Sequence, residues 1–187
     1  MKILIRNDSV HIEGYVNAVE RFSKVLNSRI GKFIERISKG AFSKALARNE
    51  DVKIMLNHQR VIGSQKQGNL KLYEDPIGLR AEADITDPEV VKDAKEGNLV
   101  GWSFGFYDRE VDEKEEDGIR ARVVNDLDLE EVSVLNRERT PAYDGTLIMA
   151  RDDNPMFYSD SDDLEITVEK EPDYSQAEEI IKEMKGE

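Results

Sequence analysis

The sequence predicts a mostly β fold (α+β) of many short strands with two short helices, of the barrel kind. Three observations lead there. Apolar residues alternate with polar ones over short segments, the pattern of strands with one buried face. Pro, Gly and Asp separate many of these segments, as in Glu74-Asp75-Pro76-Ile77-Gly78. In the body of the chain only two stretches carry helical spacing.

Taken in order, Lys2–Arg6 and Ile12–Val19 around Gly14 read as strands, and so does Phe33–Ile37. Gly40 opens a short helix, with Phe42, Ala45 and Leu46 on one face. Val52, Ile54 and Leu56 alternate and predict a strand ending at Asn57-His58. Leu70–Tyr73 and Leu79–Ile85 follow the same rule. Asp87 can cap a second helix, Pro88 suits its first position and Gly97 its end. Leu99–Phe106 reads as a buried strand, Glu110–Gly118 as an acidic loop, and Ile119–Val124, Leu127–Leu135 and Thr146–Ala150 as further strands.

The 187 residues suffice for one domain with a sizeable core. With 39% hydrophobic and 36% charged residues, the chain reads as a globular body carrying a solvated, charged segment. No apolar run approaches the ~20 residues of a membrane helix, and Met1–Arg6 shows no secretory signal. There are no cysteines, which excludes disulfides, thiol catalysis and cysteine zinc sites. The net charge of −13 is uneven: residues 152–187 hold 13 acids and 3 bases, leaving the body nearly balanced. With no basic stripe in the body and an acidic tail, no nucleic-acid partner is expected. The expected organisation is therefore a body over 1–151 and a tail over 152–187. The tail comprises an acidic linker and a short amphipathic helix that Ser175 and Glu178 would cap. Such a helix is marginal alone and needs a partner surface.

Only two histidines are present, His11 and His58. His58, at a strand end, is placed to accept a proton; a surface histidine in a turn is the plain alternative. Ser103 lies within Gly101-Trp102-Ser103-Phe104-Gly105, where small neighbours would let a substrate backbone approach. A satisfied core serine is the alternative there. The segment matches the Gly-x-Ser-x-Gly pattern, yet strand-like residues follow it, and the nucleophile elbow needs a helix. Alternation puts Glu131 on the face of Leu129 and Ser133, where a carboxylate is costly unless paired. It serves either an ion pair or a catalytic role. Trp102, Phe104 and Phe106 can line either the core or a substrate pocket, and the core is the favoured reading.

In their shared order and spacing, several segments resemble the prohead protease family of tailed phages. They are Phe33-Ile34-Glu35, Gly40-Ala41-Phe42, Leu56-Asn57-His58 with Ile62-Gly63, and Gly78-Leu79 with Ala81-Glu82-Ala83. Gly97-Asn98-Leu99 through Trp102–Phe106, Leu129 with Glu131-Val132-Ser133, and Pro141-Ala142-Tyr143 complete the set. That family is similar in fold to herpesvirus assemblin, a serine protease built on a β-barrel surrounded by helices. The resemblance implies a serine endopeptidase that processes capsid or scaffold protein, and itself, during prohead maturation. It implies Ser103 as nucleophile and His58 as general base. Assemblin's third member is a second histidine; no histidine follows His58 here, so that version is excluded. Glu131 is the foremost candidate, with Asp126, Asp128 and Glu130 as alternatives. The oxyanion site is expected in the stretch bearing Arg137 and Arg139. No cofactor or metal is implied. The implied partners are the major capsid protein or its scaffolding segment and a second copy of the chain. The implied location is the host cytoplasm, inside the assembling prohead. A non-enzymatic scaffold protein on the same fold is the alternative, and a hydrolase of small esters a further one.

Overall fold

The computed structural model describes residues 1–6, 8–28, 31–116, 118–137, 156–159 and 167–170. Among them the strands are β1 (Lys2–Ile5), β2 (Val10–Ala18), β3 (Leu26–Ser28), β4 (Gly31–Ile37), β5 (Lys53–Leu56), β6 (Arg60–Ser64), β7 (Leu70–Glu74), β8 (Gly78–Ile85), β9 (Leu99–Glu116), β10 (Ile119–Asn136), β11 (Met156–Ser159) and β12 (Thr167–Lys170). Helix α1 (Ala41–Arg48) lies between β4 and β5, and α2 (Pro88–Lys95) between β8 and β9. The mostly β expectation holds. The expected Thr146–Ala150 strand and Ser175–Lys185 helix lie outside the described residues.

Two sheets form. One runs β12-β1-β2-β8-β7. The other runs β11-β9-β10-β4-β3, with β5 added to β10 and β6 to β5. Barrel closure is not observed among the described residues: both sheets are open, and they meet by packing β2 against β9. Gly14 makes that approach possible, because a Cβ there would lie 3.1 Å from the Trp102 indole nitrogen. A list of short strands does not specify which edges pair, so closure cannot be read from it.

The second sheet is built on the long β9–β10 hairpin. β9 pairs along one edge of β10. On the other edge β4 runs parallel to Arg120–Val124, and β5 runs parallel to Glu131–Val134. The chain crosses between these two positions through α1, which packs over β10. Gly40 at the head of α1 has φ +88 and offers no side-chain cap. The carboxylate of Glu74 on β7 replaces it, accepting from the Gly40 and Ser43 N–H groups at 2.6 and 2.7 Å. At α2 the expected cap is present: Asp87 accepts from the Glu89 and Val90 N–H groups, and Pro88 opens the helix.

The acidic loop expected at Glu110–Gly118 is instead part of this hairpin: β9 continues to Glu116 and Gly118 turns the chain with φ +77. Cross-strand charge complementarity explains it. Glu113 faces Arg122 in the register and also pairs with Arg120 at 3.7 Å, and Asp112 accepts from Asn125 at 2.7 Å. Arg122 is buried with Glu35 and Asp108 as carboxylate partners. Burial pushes the Asp108 carboxyl up, against the pull of Arg122.

The expected strands Ile119–Val124 and Leu127–Leu135 are one strand with irregularities between Val124 and Leu127. Such a bulge re-aims the following side chains. As expected, Trp102, Phe104 and Phe106 are core residues. Phe42 of α1 meets the Phe104 ring edge-on at 5.5 Å, and Phe104 stacks on Phe106 at 5.4 Å.

Candidate active site

β9 and β10 sort their side chains by face. Trp102 pairs with Val134, Phe104 with Val132 and Phe106 with Leu129, all apolar and packed inward. The intervening residues face the other way: Ser103 pairs with Ser133, and Gly105 with Glu131. Directly opposed residues of an antiparallel pair project on the same side. Ser103, Ser133 and Glu131 therefore share one face.

β5 brings the histidine to that face. Its Met55 and Leu56 pair with Ser133 and Val134, and the chain then turns sharply at Asn57-His58. Both residues adopt positive φ, 54 for Asn57 and 59 for His58. Asn and His are among the residues enriched in this conformation, which for an L-residue costs about 1–2 kcal/mol. The turn returns the imidazole over Glu131, whose Oε1 lies 2.7 Å from His58 Nδ1. Glu131 is buried, while His58 keeps 19% side-chain exposure. The neutral imidazole must then carry its proton on Nδ1, donating to the carboxylate and leaving Nε2 as the basic atom.

Ser133 closes the arrangement. Its hydroxyl donates to Glu131 Oε2 at 2.7 Å and accepts the His58 backbone N–H at 3.0 Å. Its only signal in the sequence is its alternation with Glu131, which an ordinary strand serine shares. Ser103 is different. Its Oγ is buried and has no hydrogen-bond partner among the described residues, so no bond to His58 is formed in this state. A buried unpaired hydroxyl costs about 1–3 kcal/mol. Hydrogen bonds in a catalytic constellation are often completed only when substrate binds.

The alternative acids are engaged elsewhere. Asp126 binds Arg48 at 2.6 Å, Asp128 binds Arg109 at 2.9 Å, and Glu130 is exposed. His11 sits on the other sheet, 3.0 Å from Asp84. Arg137 is exposed at the end of β10, and its N–H is donated to the Asn98 carbonyl at 3.0 Å. That amide is therefore occupied. Arg139 lies outside the described residues. The strand context of Ser103 also removes the α/β-hydrolase elbow, since β9 runs unbroken from Leu99 to Glu116.

An imidazole held by a buried carboxylate, on the same face as a hydroxyl, has the parts of a hydrolase that works by nucleophilic acyl transfer. The comparison with known families agrees with that class. The model for the Caudovirus prohead serine protease matches residues 2–156, and the chain belongs to that family. Membership makes it a serine peptidase by family and implies the role of a capsid-maturation protease. No curated protein and no solved structure gives a significant match. No helix among the described residues is long and apolar enough to cross a membrane.

Proposed function

We propose that the chain is the endopeptidase that cuts capsid or scaffold protein inside the assembling prohead, using Ser103, His58 and Glu131. The observation that carries this is the 2.7 Å contact between His58 and Glu131 on the face that holds Ser103. Ser103 Oγ attacks the scissile carbonyl. His58 Nε2 takes its proton and returns it to the leaving amine. Glu131 fixes the tautomer and stabilises the imidazolium. The developing oxyanion is assigned to the stretch from Asn136 to Thr140, which bears Arg137 and Arg139. Because the Arg137 amide is occupied, its guanidinium or later residues must act as donors. In keeping with assemblin-like enzymes, the working form is a homodimer.

Self-cleavage is a second activity of the same site, favoured by one observation. β11 runs antiparallel to β9, with Ser159 opposite Ser103 and Phe157 opposite Gly105. The chain's own downstream backbone thus lies along the strand that bears the hydroxyl. A substrate strand that pairs with this edge of β9 has to displace β11.

The test is to incubate purified protein with capsid protein and read the products by mass spectrometry. Cutting by the wild type that Ser103→Ala abolishes supports the proposal. Equal cutting by both rejects the assignment. Absence of cutting by both, under conditions where capsid protein assembles, favours a scaffold role. Comparing the intact masses of the two chains after storage reads self-cleavage in the same way.

A further inference from the structure

The turn that presents His58 is gripped by three buried polar side chains to which the proposed chemistry assigns no role. Asn57, Asn136 and Asp93 come from the end of β5, the end of β10 and the middle of α2, with 6%, 1% and 9% exposure. Asn57 Nδ2 donates to Asn136 Oδ1 at 2.8 Å, and the Asn136 N–H donates back to Asn57 Oδ1 at 3.1 Å. Asn136 Nδ2 then donates to Asp93 Oδ2 at 2.6 Å. The backbone joins in: the Asn57 N–H donates to the Val134 carbonyl at 3.0 Å, and the Asn98 N–H to the Asp93 carbonyl at 2.7 Å.

We propose that Asp93, Asn136 and Asn57 form a positioning chain that sets the aim of the His58 imidazole. This rests on the reading of His58 as the general base. Both polar ends of the Asn57 side chain are used against one partner, which leaves that side chain a single orientation. Asn136 can offer Oδ1 to Asn57 only while its Nδ2 points at Asp93. The carboxylate of Asp93 therefore determines which way the Asn136 amide faces.

The grip falls where the backbone most needs it. Asn57 and His58 are consecutive residues at positive φ, and such a pair persists only when its surroundings over-determine it. If the chain of amides is broken, the turn is free to relax toward extended backbone. The imidazole then swings away from Glu131 although no residue of the proposed catalytic set has changed. The three act on the imidazole through the backbone turn that carries it and are therefore positioning residues. By a separate backbone path the Asp93 carbonyl accepts from Asn98, whose own carbonyl accepts the Arg137 N–H, so α2 also braces the strand end assigned to the oxyanion.

The test uses the full chain and two readouts. Imidazole ¹⁵N shifts report the fraction of His58 protonated on Nδ1, with His11 as internal control. A fluorophosphonate reports the rate of labelling at Ser103. Asn57→Gly keeps a residue that accepts positive φ while deleting the amide. It is expected to lower the Nδ1–H fraction of His58 and slow labelling by at least about tenfold, with His11 unmoved. Asp93→Ala should act in the same direction, and Asp93→Asn, which retains an acceptor, should restore both signals. If Asn57→Gly fails to fold, the Asp93 pair alone decides. A folded Asn57→Gly or Asp93→Ala protein with wild-type His58 shifts overturns the proposal, and so does an Asp93→Asn protein as impaired as Asp93→Ala. If the wild type is not labelled at Ser103, the serine reading fails, while the shifts still test the positioning.

Discussion

Ser133 lies directly opposite Ser103 across the β9–β10 pair, and the two hydroxyls differ completely in their bonding. Ser133 Oγ bridges Glu131 and the His58 backbone, whereas Ser103 Oγ has no partner among the described residues. The satisfied hydroxyl has the character of a structural brace, and the unsatisfied one that of a group kept available. This contrast separates two serines that are equally buried.

Ser133→Ala would leave Glu131 Oε2 and the His58 N–H without their shared partner. Stability should fall by about 1–3 kcal/mol. Peptidase activity should fall by up to about 10²-fold through misplacement of the imidazole, without being abolished. Urea unfolding and the rate of substrate cleavage measure the two effects. Complete loss of activity in a folded Ser133→Ala protein would point to Ser133 as the reacting serine.

Glu131→Gln keeps the shape but offers His58 either a donor or a neutral acceptor. The proton on Nδ1 is then no longer favoured, and activity should drop by about 10⁴, the scale seen when a triad acid becomes an amide. Steady-state kinetics on a folded variant checks this. A loss below tenfold would mean that the carboxylate serves structure and not the imidazole.

Which parts of this could be read from sequence follows from the range of the forces involved. Local signals were sufficient for Asp87-Pro88 at the head of α2 and for the alternation of β8, because caps and periodicity act over a few residues. His58 could be singled out as a scarce base and Glu131 as a carboxylate that needs a partner, but the expected place of Glu131 on the Leu129 face is not the observed one: a register shift between Leu129 and Glu131 turns it to the face of Ser133 and Ser103. Ser133 could not be separated from an ordinary strand serine, since its meaning depends on register with Ser103, thirty positions away. Asn136 and Asp93 are invisible for the same reason. By charge the Glu110–Gly118 segment reads as a solvated loop, while its strand pairing depends on Arg120 and Arg122 across the hairpin. Barrel closure was expected from strand number, which does not determine edge pairing.

Gly78→Ala should be among the most damaging small substitutions outside the site. A Cβ at Gly78 would lie 2.0 Å from the Asn17 carbonyl oxygen and 2.8 Å from Ala18 Cα. These are backbone atoms in the irregular part of the β2–β8 pairing, so no side chain can swing aside. Overpacking of this kind costs about 1–3 kcal/mol or more, which lowers the melting temperature by several degrees. Thermal unfolding checks it, and an unchanged melting temperature would show that β2 and β8 adjust freely there.

Asp87 links the α2 cap to pH. Arg60 beside it, helped by the Val90 and Glu89 N–H groups, holds its carboxyl below the usual value of 3.8. A depressed carboxylate stabilises the fold fully above its unfolded value and loses that contribution as pH falls through the folded one. Asp87→Ala should therefore cost about 1 kcal/mol at pH 7, and this difference should shrink at pH 3. Urea unfolding of both proteins at the two pH values measures it. An undiminished difference at pH 3 would show that the carboxylate charge plays no part in the cap.

The most direct test of the account is where a serine-directed fluorophosphonate attaches. Peptide mapping of the labelled full chain should place the adduct on Ser103 alone, with labelling lost in His58→Ala and strongly slowed in Glu131→Gln. An adduct on Ser133, or labelling of Ser103 that proceeds at the wild-type rate without His58, would contradict it.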